Sequence, residues 1–150
     1  MQPTAPAAWL PPPRPRDIVL AYFPYTEDHG RPSNDVHPCV VLSVGIMPDQ
    51  TFRLLVAYGS SKGLLTAGKT NVIVDPANVP GTGLSVPTRF QLSRRAWLPF
   101  NPIYFMQANG NRTPLIGRLP DEAMAEFERA KQVVLDRKGA NWLRPDLEPL

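Results

Sequence analysis

The stretch DIVLAYFPYTEDHGRPSNDVHPCVVLS, Asp17 to Ser43, decides how this chain is read. Its first part, Asp17 to Phe23, alternates Ile18, Leu20 and Tyr22 against Val19, Ala21 and Phe23, which predicts a strand. Its last part, Cys39 to Val44, is an almost continuous apolar run, as in a strand buried on both faces. The polar loop between them is longer than a compact hairpin needs, and such loops are usually functional or disordered. This stretch holds both histidines of the chain, His29 and His37, together with Arg31. Chemistry is expected here, with His37-Pro38 leading into the second strand and His29 as a solvated loop residue.

Reading outward, Thr51 to Tyr58 predicts a third strand, broken by Gly59-Ser60-Ser61-Lys62-Gly63. Asn71 to Val74 is a short strand ended by Asp75-Pro76. Val86 to Leu92 and Ala96 to Leu98 give two more, with prolines marking edges or bulges. Ile103 to Met106 and Leu115 to Leu119 are further short candidates. A helix follows from Pro120. Asp121 and Glu122 suit the positive end of its dipole, Ala123, Phe127, Ala130 and Val134 recur at helical spacing, and Gly139 is a natural stop. Seven or so strands with one C-terminal helix and no βαβ alternation make a mainly β, antiparallel, barrel-like domain.

A chain of 150 residues is one domain by size. The formal charge of +3 and pI near 9.3 permit an anionic partner such as RNA or an acidic protein without requiring one. No apolar run approaches the ~20 residues of a membrane span and no signal peptide is visible, so no membrane partner and a cytoplasmic address are expected. A single cysteine, Cys39, excludes an internal disulfide and a cysteine-based zinc site. It reads as a small buried hydrophobe rather than a catalytic thiol. No cofactor or metal is expected. Six prolines before Asp17 mark residues 1–15 as a disordered arm. The domain is read as 16–138 and the tail as 139–150, with Trp142 and Leu143 able to dock on the body or on a partner.

Three segments in order resemble the PemK/MazF family of type II toxin–antitoxin toxins. DIVLAYFPYT (17–26) is similar to that family's opening G-D-I-V-x-x-x-F-P-x-T strand, with Arg16 where glycine is usual. HPCVVLS (37–43) is similar to its R-P-x-x-V-L-S strand. VAYGSSK (56–62) resembles the segment after its third strand, which typically ends in Thr-Ser. GLSVPTRFQLSRRAWLPF (83–100) and LIGRLPDEAMAEF (115–127) resemble its G-L-x-x-P-(S/T) strand and its entry into the last helix.

The resemblance implies a small SH3-like barrel of the MazF/CcdB type, usually a homodimer. It implies metal-independent cleavage of single-stranded RNA by attack of the ribose 2′-hydroxyl on the adjacent phosphate. An acidic antitoxin is implied as a partner on the same surface. The sequence departs from the family at both reacting positions: His37 stands for arginine and Ser60 for threonine. His37 and Ser60 are therefore the expected catalytic residues, with Arg31, Ser61, Lys62 and Arg89 as phosphate contacts. Arg94 and Arg95 are candidates for an RNA-tracking surface beside Phe90 and Trp97, although these aromatics are more often core. Histidine near its unperturbed pKa of ~6.5 suits proton transfer, whereas arginine is a permanent planar cation. The alternative is a non-catalytic SH3-like module that binds nucleic acid or protein and has lost the arginine.

Overall fold

The computed structural model describes residues 3–28, 30–64, 68–108 and 110–138. His29, Gly139 and the tail with Trp142 and Leu143 lie outside the described residues.

The apolar runs of the first strands need cover on two sides, and the chain supplies it. Strands β1 (Asp17–Ala21), β2 (His37–Ile46), β3 (Phe52–Ser60), β4 (Asn71–Val74), β5 (Thr88–Pro99) and β6 (Leu115–Arg118) precede helix α1 (Met124–Lys138). They form one antiparallel sheet in the order β4-β5-β3-β2-β1-β6. On one side, Ile18, Val40, Ala57 and Phe90 pack with Phe127, Ala130 and Val134 of α1. On the other, Val19, Cys39, Val41 and Val56 pack with Phe100 and Phe105. Alternation thus sends neighbouring residues of β1 and β2 into two different cores, which is why the sequence reads as continuously apolar there. Each large side chain fully buried this way contributes roughly 1.5–3 kcal/mol.

The mainly β antiparallel architecture with a C-terminal helix is as expected, but the sheet is barrel-like rather than closed. Six strands form among the described residues, not seven. The two pieces read at 86–92 and 96–98 are one bent strand, β5. Its pairing with β3 jumps from Ala57↔Arg95 to Tyr58↔Gln91, so a bulge of Leu92, Ser93 and Arg94 interrupts the ladder. Residues 103–106 form a turn, with an isolated bridge from Phe105 to Ala21.

Both strands bearing the site are longer at its end than their apolar patterns show. β2 begins at His37 and β3 continues through Gly59 to Ser60. Gly59 is required by close approach: a Cβ there would stand 2.2 Å from the Pro38 carbonyl oxygen and 2.8 Å from Phe90. It is a packing glycine inside a strand, not a breaker.

Arg16 holds a backbone conformation that favours glycine. Its φ is 80°, the left-handed region that costs an ordinary residue about 1–2 kcal/mol. Arg16 offsets this through its guanidinium, which donates to the Leu119 carbonyl and to Asp121, each at 2.9 Å. Those contacts tie the start of β1 to the turn before α1. The proline-rich residues meanwhile lie against the sheet: Ala7–Trp9 form a 3₁₀ turn, and Trp9, 4% exposed, packs on Phe100 at 5.4 Å between ring centroids.

Candidate functional site

The site grows from the ends of β2 and β3. Across their ladder Cys39 pairs with Tyr58, and carrying that register two residues outward sets His37 opposite Ser60. Side chains of one parity share a face, so His37, Tyr58 and Ser60 project together. The His37 and Tyr58 rings meet at 4.8 Å between centroids. These residues line an open cleft of about 1030 Å³ with Ser61 and Lys62. Its other walls come from Tyr25 and Asp35 of the β1–β2 loop, from the 83–86 segment and from Met106 and Ala108. Gly83 lets that segment dock, since a Cβ there would sit 1.9 Å from the Ile116 carbonyl oxygen.

His37 is half-buried. Burial is the largest influence on its imidazole and lowers its pKa below the ordinary value. The Arg94 and Lys62 charges push the same way, while Asp35 and the Gly59 carbonyl, which accepts a hydrogen bond from the ring, oppose. The ring is therefore neutral near pH 7. In the neutral imidazole one ring nitrogen donates and the other accepts. Ser60 is 7% exposed, and its Oγ accepts the Lys62 backbone N–H at 3.1 Å. At the cleft rim the Tyr25 hydroxyl donates to Asp35 at 2.8 Å.

Four of the six expected residues, His37, Ser60, Ser61 and Lys62, thus line one cleft. Arg89 flanks it: Arg89 pairs with Ser60 across β3 and β5, and its guanidinium lies against Gly63. Arg31 does not line the cleft; its side chain is 81% exposed and ion-paired with Asp28 at 3.6 Å. Cys39 is fully buried, its thiol pushed up to about 12 by burial, so it is no nucleophile. Arg95 is 1% exposed and donates to the Leu92 carbonyl, which places it inside the fold rather than on an RNA-tracking surface. Phe90 is core. Asp35 and Tyr25 escaped sequence reasoning, because nothing in a polar loop signals which residues fold back over a strand end. Among the described residues no cluster of three or more His, Cys, Asp or Glu could hold a metal.

No family model matches the chain, and no curated protein matches it in sequence. Solved structures do. The Mycobacterium tuberculosis toxin MazF-mt6 superimposes with a TM-score of 0.54 at 17% identity, over 81% of this chain and 97% of that one. The fold is that of a MazF-like toxin. An endoribonuclease in complex with its cognate antitoxin, from a mycobacterial species, gives a TM-score of 0.54 at 12% identity, covering 83% of this chain and 95% of that one. The MazF-like architecture thus spans most of the chain, and the chain spans nearly all of both toxins.

Proposed function

We propose that the chain is a toxin-type endoribonuclease that cuts single-stranded RNA without a metal and is held in check by an acidic antitoxin. The observation that carries this reading is the meeting of His37, Ser60 and Lys62 in one open cleft of a MazF-like fold. The acceptor nitrogen of the neutral imidazole takes the proton of the ribose 2′-hydroxyl. The 2′ oxygen then bonds to phosphorus, the bond to the 5′ oxygen breaks as that oxygen takes a proton from water in the open cleft, and a 2′,3′-cyclic phosphate and a 5′-hydroxyl are left. Ser60 and Lys62 offer donors to the charge that grows on the phosphoryl oxygens. The reading extends to a cytoplasmic homodimer with an antitoxin laid across this cleft; the antitoxin complex of the second solved structure supports the antitoxin partner.

The tests are direct. Purified protein freed of antitoxin should cut a mixed-sequence RNA pool equally with and without EDTA, and an intact pool refutes the reading. Replacing His37 by Ala should lower the rate by about 10²–10⁴ and Ser60→Ala by about 10²-fold, each relieving growth arrest. Undiminished cleavage by both variants would remove these residues from the chemistry. The half-burial of His37 favours a second reading, a non-catalytic module that binds RNA or protein in the same cleft. That reading requires RNA binding that survives His37→Ala, with no cleavage by the parent protein.

A further inference from the structure

The bulge in β5 aims one arginine toward the site. Leu92, Ser93 and Arg94 drop out of the β3–β5 ladder, and bulges beside functional clefts commonly serve to re-aim a side chain. Arg94 is carried over the Tyr58 ring, its guanidinium carbon 4.0 Å from the centroid, and 5.5 Å from the centroid of Phe23. Phe23 and Tyr58 pack at 5.3 Å, and Tyr58 in turn packs on His37. The Arg94 Nε is buried with no hydrogen-bond partner among the described residues. A guanidinium that gives up a donor in this way is held by its ring contacts rather than by ion pairing. Arg94 does not itself line the cleft, so it acts through its neighbours.

We propose that Arg94 is a positioning residue of the cleft: stacked on Tyr58, it fixes the Tyr58 and His37 rings and sets a permanent positive charge beside the imidazole. The proposal rests on the endoribonuclease reading for its effect on rate, but not for its effect on His37. An arginine at residue 37 would have been charged at every pH; a histidine there needs its neutral form to accept a proton. A fixed cation nearby disfavours imidazolium and so keeps the base free. The groups that act on His37 are Asp35, which opposes this, Lys62, which adds to it, the Gly59 carbonyl and Arg94. The Tyr58 ring and the buried Cys39 thiol lie beside it.

The experiment follows the His37 imidazole by NMR titration in RNA-free protein, with His29→Gln to leave one histidine, alongside the pH–rate profile on RNA. Arg94→Met removes the charge and keeps bulk. It should raise the titration midpoint by on the order of half a pH unit, and move the acidic limb of the rate profile upward with it. The rate near pH 7 should fall about tenfold, the loss expected for one part-buried cation–π contact. Arg94→Lys keeps the charge and should hold the midpoint while recovering part of the rate. A variant that folds, judged by circular dichroism, yet leaves the midpoint unmoved overturns the proposal; so does equal loss of rate in the Lys and Met variants. Should Arg94→Met fail to fold, Arg94→Gln carries the same expectations. If the parent protein cuts no RNA, the endoribonuclease reading fails while the titration still decides the role of Arg94.

Discussion

Replacing Gly59 by Ala tests the joint on which the site depends. The new Cβ would stand 2.2 Å from the Pro38 carbonyl oxygen and 2.8 Å from a ring carbon of Phe90, where real Cβ contacts essentially never fall below 3.0 Å. Relief therefore requires at least 0.8 Å of separation between β2 and β3 beside His37 and Ser60, against backbone that cannot rotate away. Overpacking of this kind costs about 1–3 kcal/mol, and a displacement near 1 Å at a reacting pair lowers the rate on the order of 10²-fold. Gly45→Ala is the matched control: it lies in the paired strand β2, opposite Arg53, and its Cβ would meet the Trp97 ring at 3.4 Å and the Arg53 carbonyl oxygen at 4.0 Å, both ordinary contacts. Urea unfolding followed by circular dichroism gives the stabilities, and the RNA pool gives the rates. A Gly59→Ala protein within about 0.5 kcal/mol of the parent and with full activity would refute the claim that this approach sets the site.

Because burial and nearby cations lower the His37 pKa, the cleavage rate should rise from acid to a plateau through a midpoint below the ordinary histidine value of ~6.5. A midpoint above that value contradicts the assignment of a neutral base. The same shift has a stability consequence: the folded state binds fewer protons than the unfolded one, so stability falls as pH drops through ~6.5 and levels off below the folded midpoint. His37→Gln should flatten that slope in urea titrations. Arg31→Ala should change cleavage by less than about twofold, since its exposed ion pair with Asp28 contributes little; a tenfold loss would return Arg31 to the phosphate path. Arg16→Ala keeps the left-handed backbone and loses the ties to Leu119 and Asp121, so it should melt below Arg16→Gly, by about 1 kcal/mol. Equal stability of the two would dispose of the strain argument.

What was legible in the sequence follows from which forces are local. Alternation in β1 and the apolar run of β2 are written residue by residue, so their burial on both faces could be read directly. The helix was legible for the same reason, with Phe127, Ala130 and Val134 on one face. Gly59 was misread as a break because conformational permissiveness and absence of a Cβ look alike in a sequence; only the Pro38 carbonyl and Phe90 distinguish them. β5 was split in two because Leu92–Arg94 carries no ladder partner, and a bulge of that kind is set by the bend of the whole sheet. Arg31, six residues from His37, was placed nearer the site than it is, since sequence distance along a loop says little about direction. Arg94 sits more than fifty residues from His37 and reaches it only through that bulge.

The substitution of His37 for arginine then carries a constraint on the rest of the cleft. An arginine supplies charge whatever its surroundings, so its neighbours are free to vary. An imidazole supplies either charge or a free base according to its surroundings, and here burial, Lys62 and Arg94 all select the base. The charge that an arginine would have brought to the phosphate must come from elsewhere in the cleft. Lys62 is the cation that lines the wall beside Ser60, and Arg89 flanks the same loop at Gly63. In the proposed chemistry a proton-transfer group at residue 37 and the cations Lys62 and Arg89 are two halves of one requirement, so loss of either should leave the other chemically idle. Lys62→Ala and His37→Ala should accordingly be non-additive, the double variant cutting RNA no more than about tenfold slower than His37→Ala alone. Independent, multiplying losses would mean that the two residues serve separate steps.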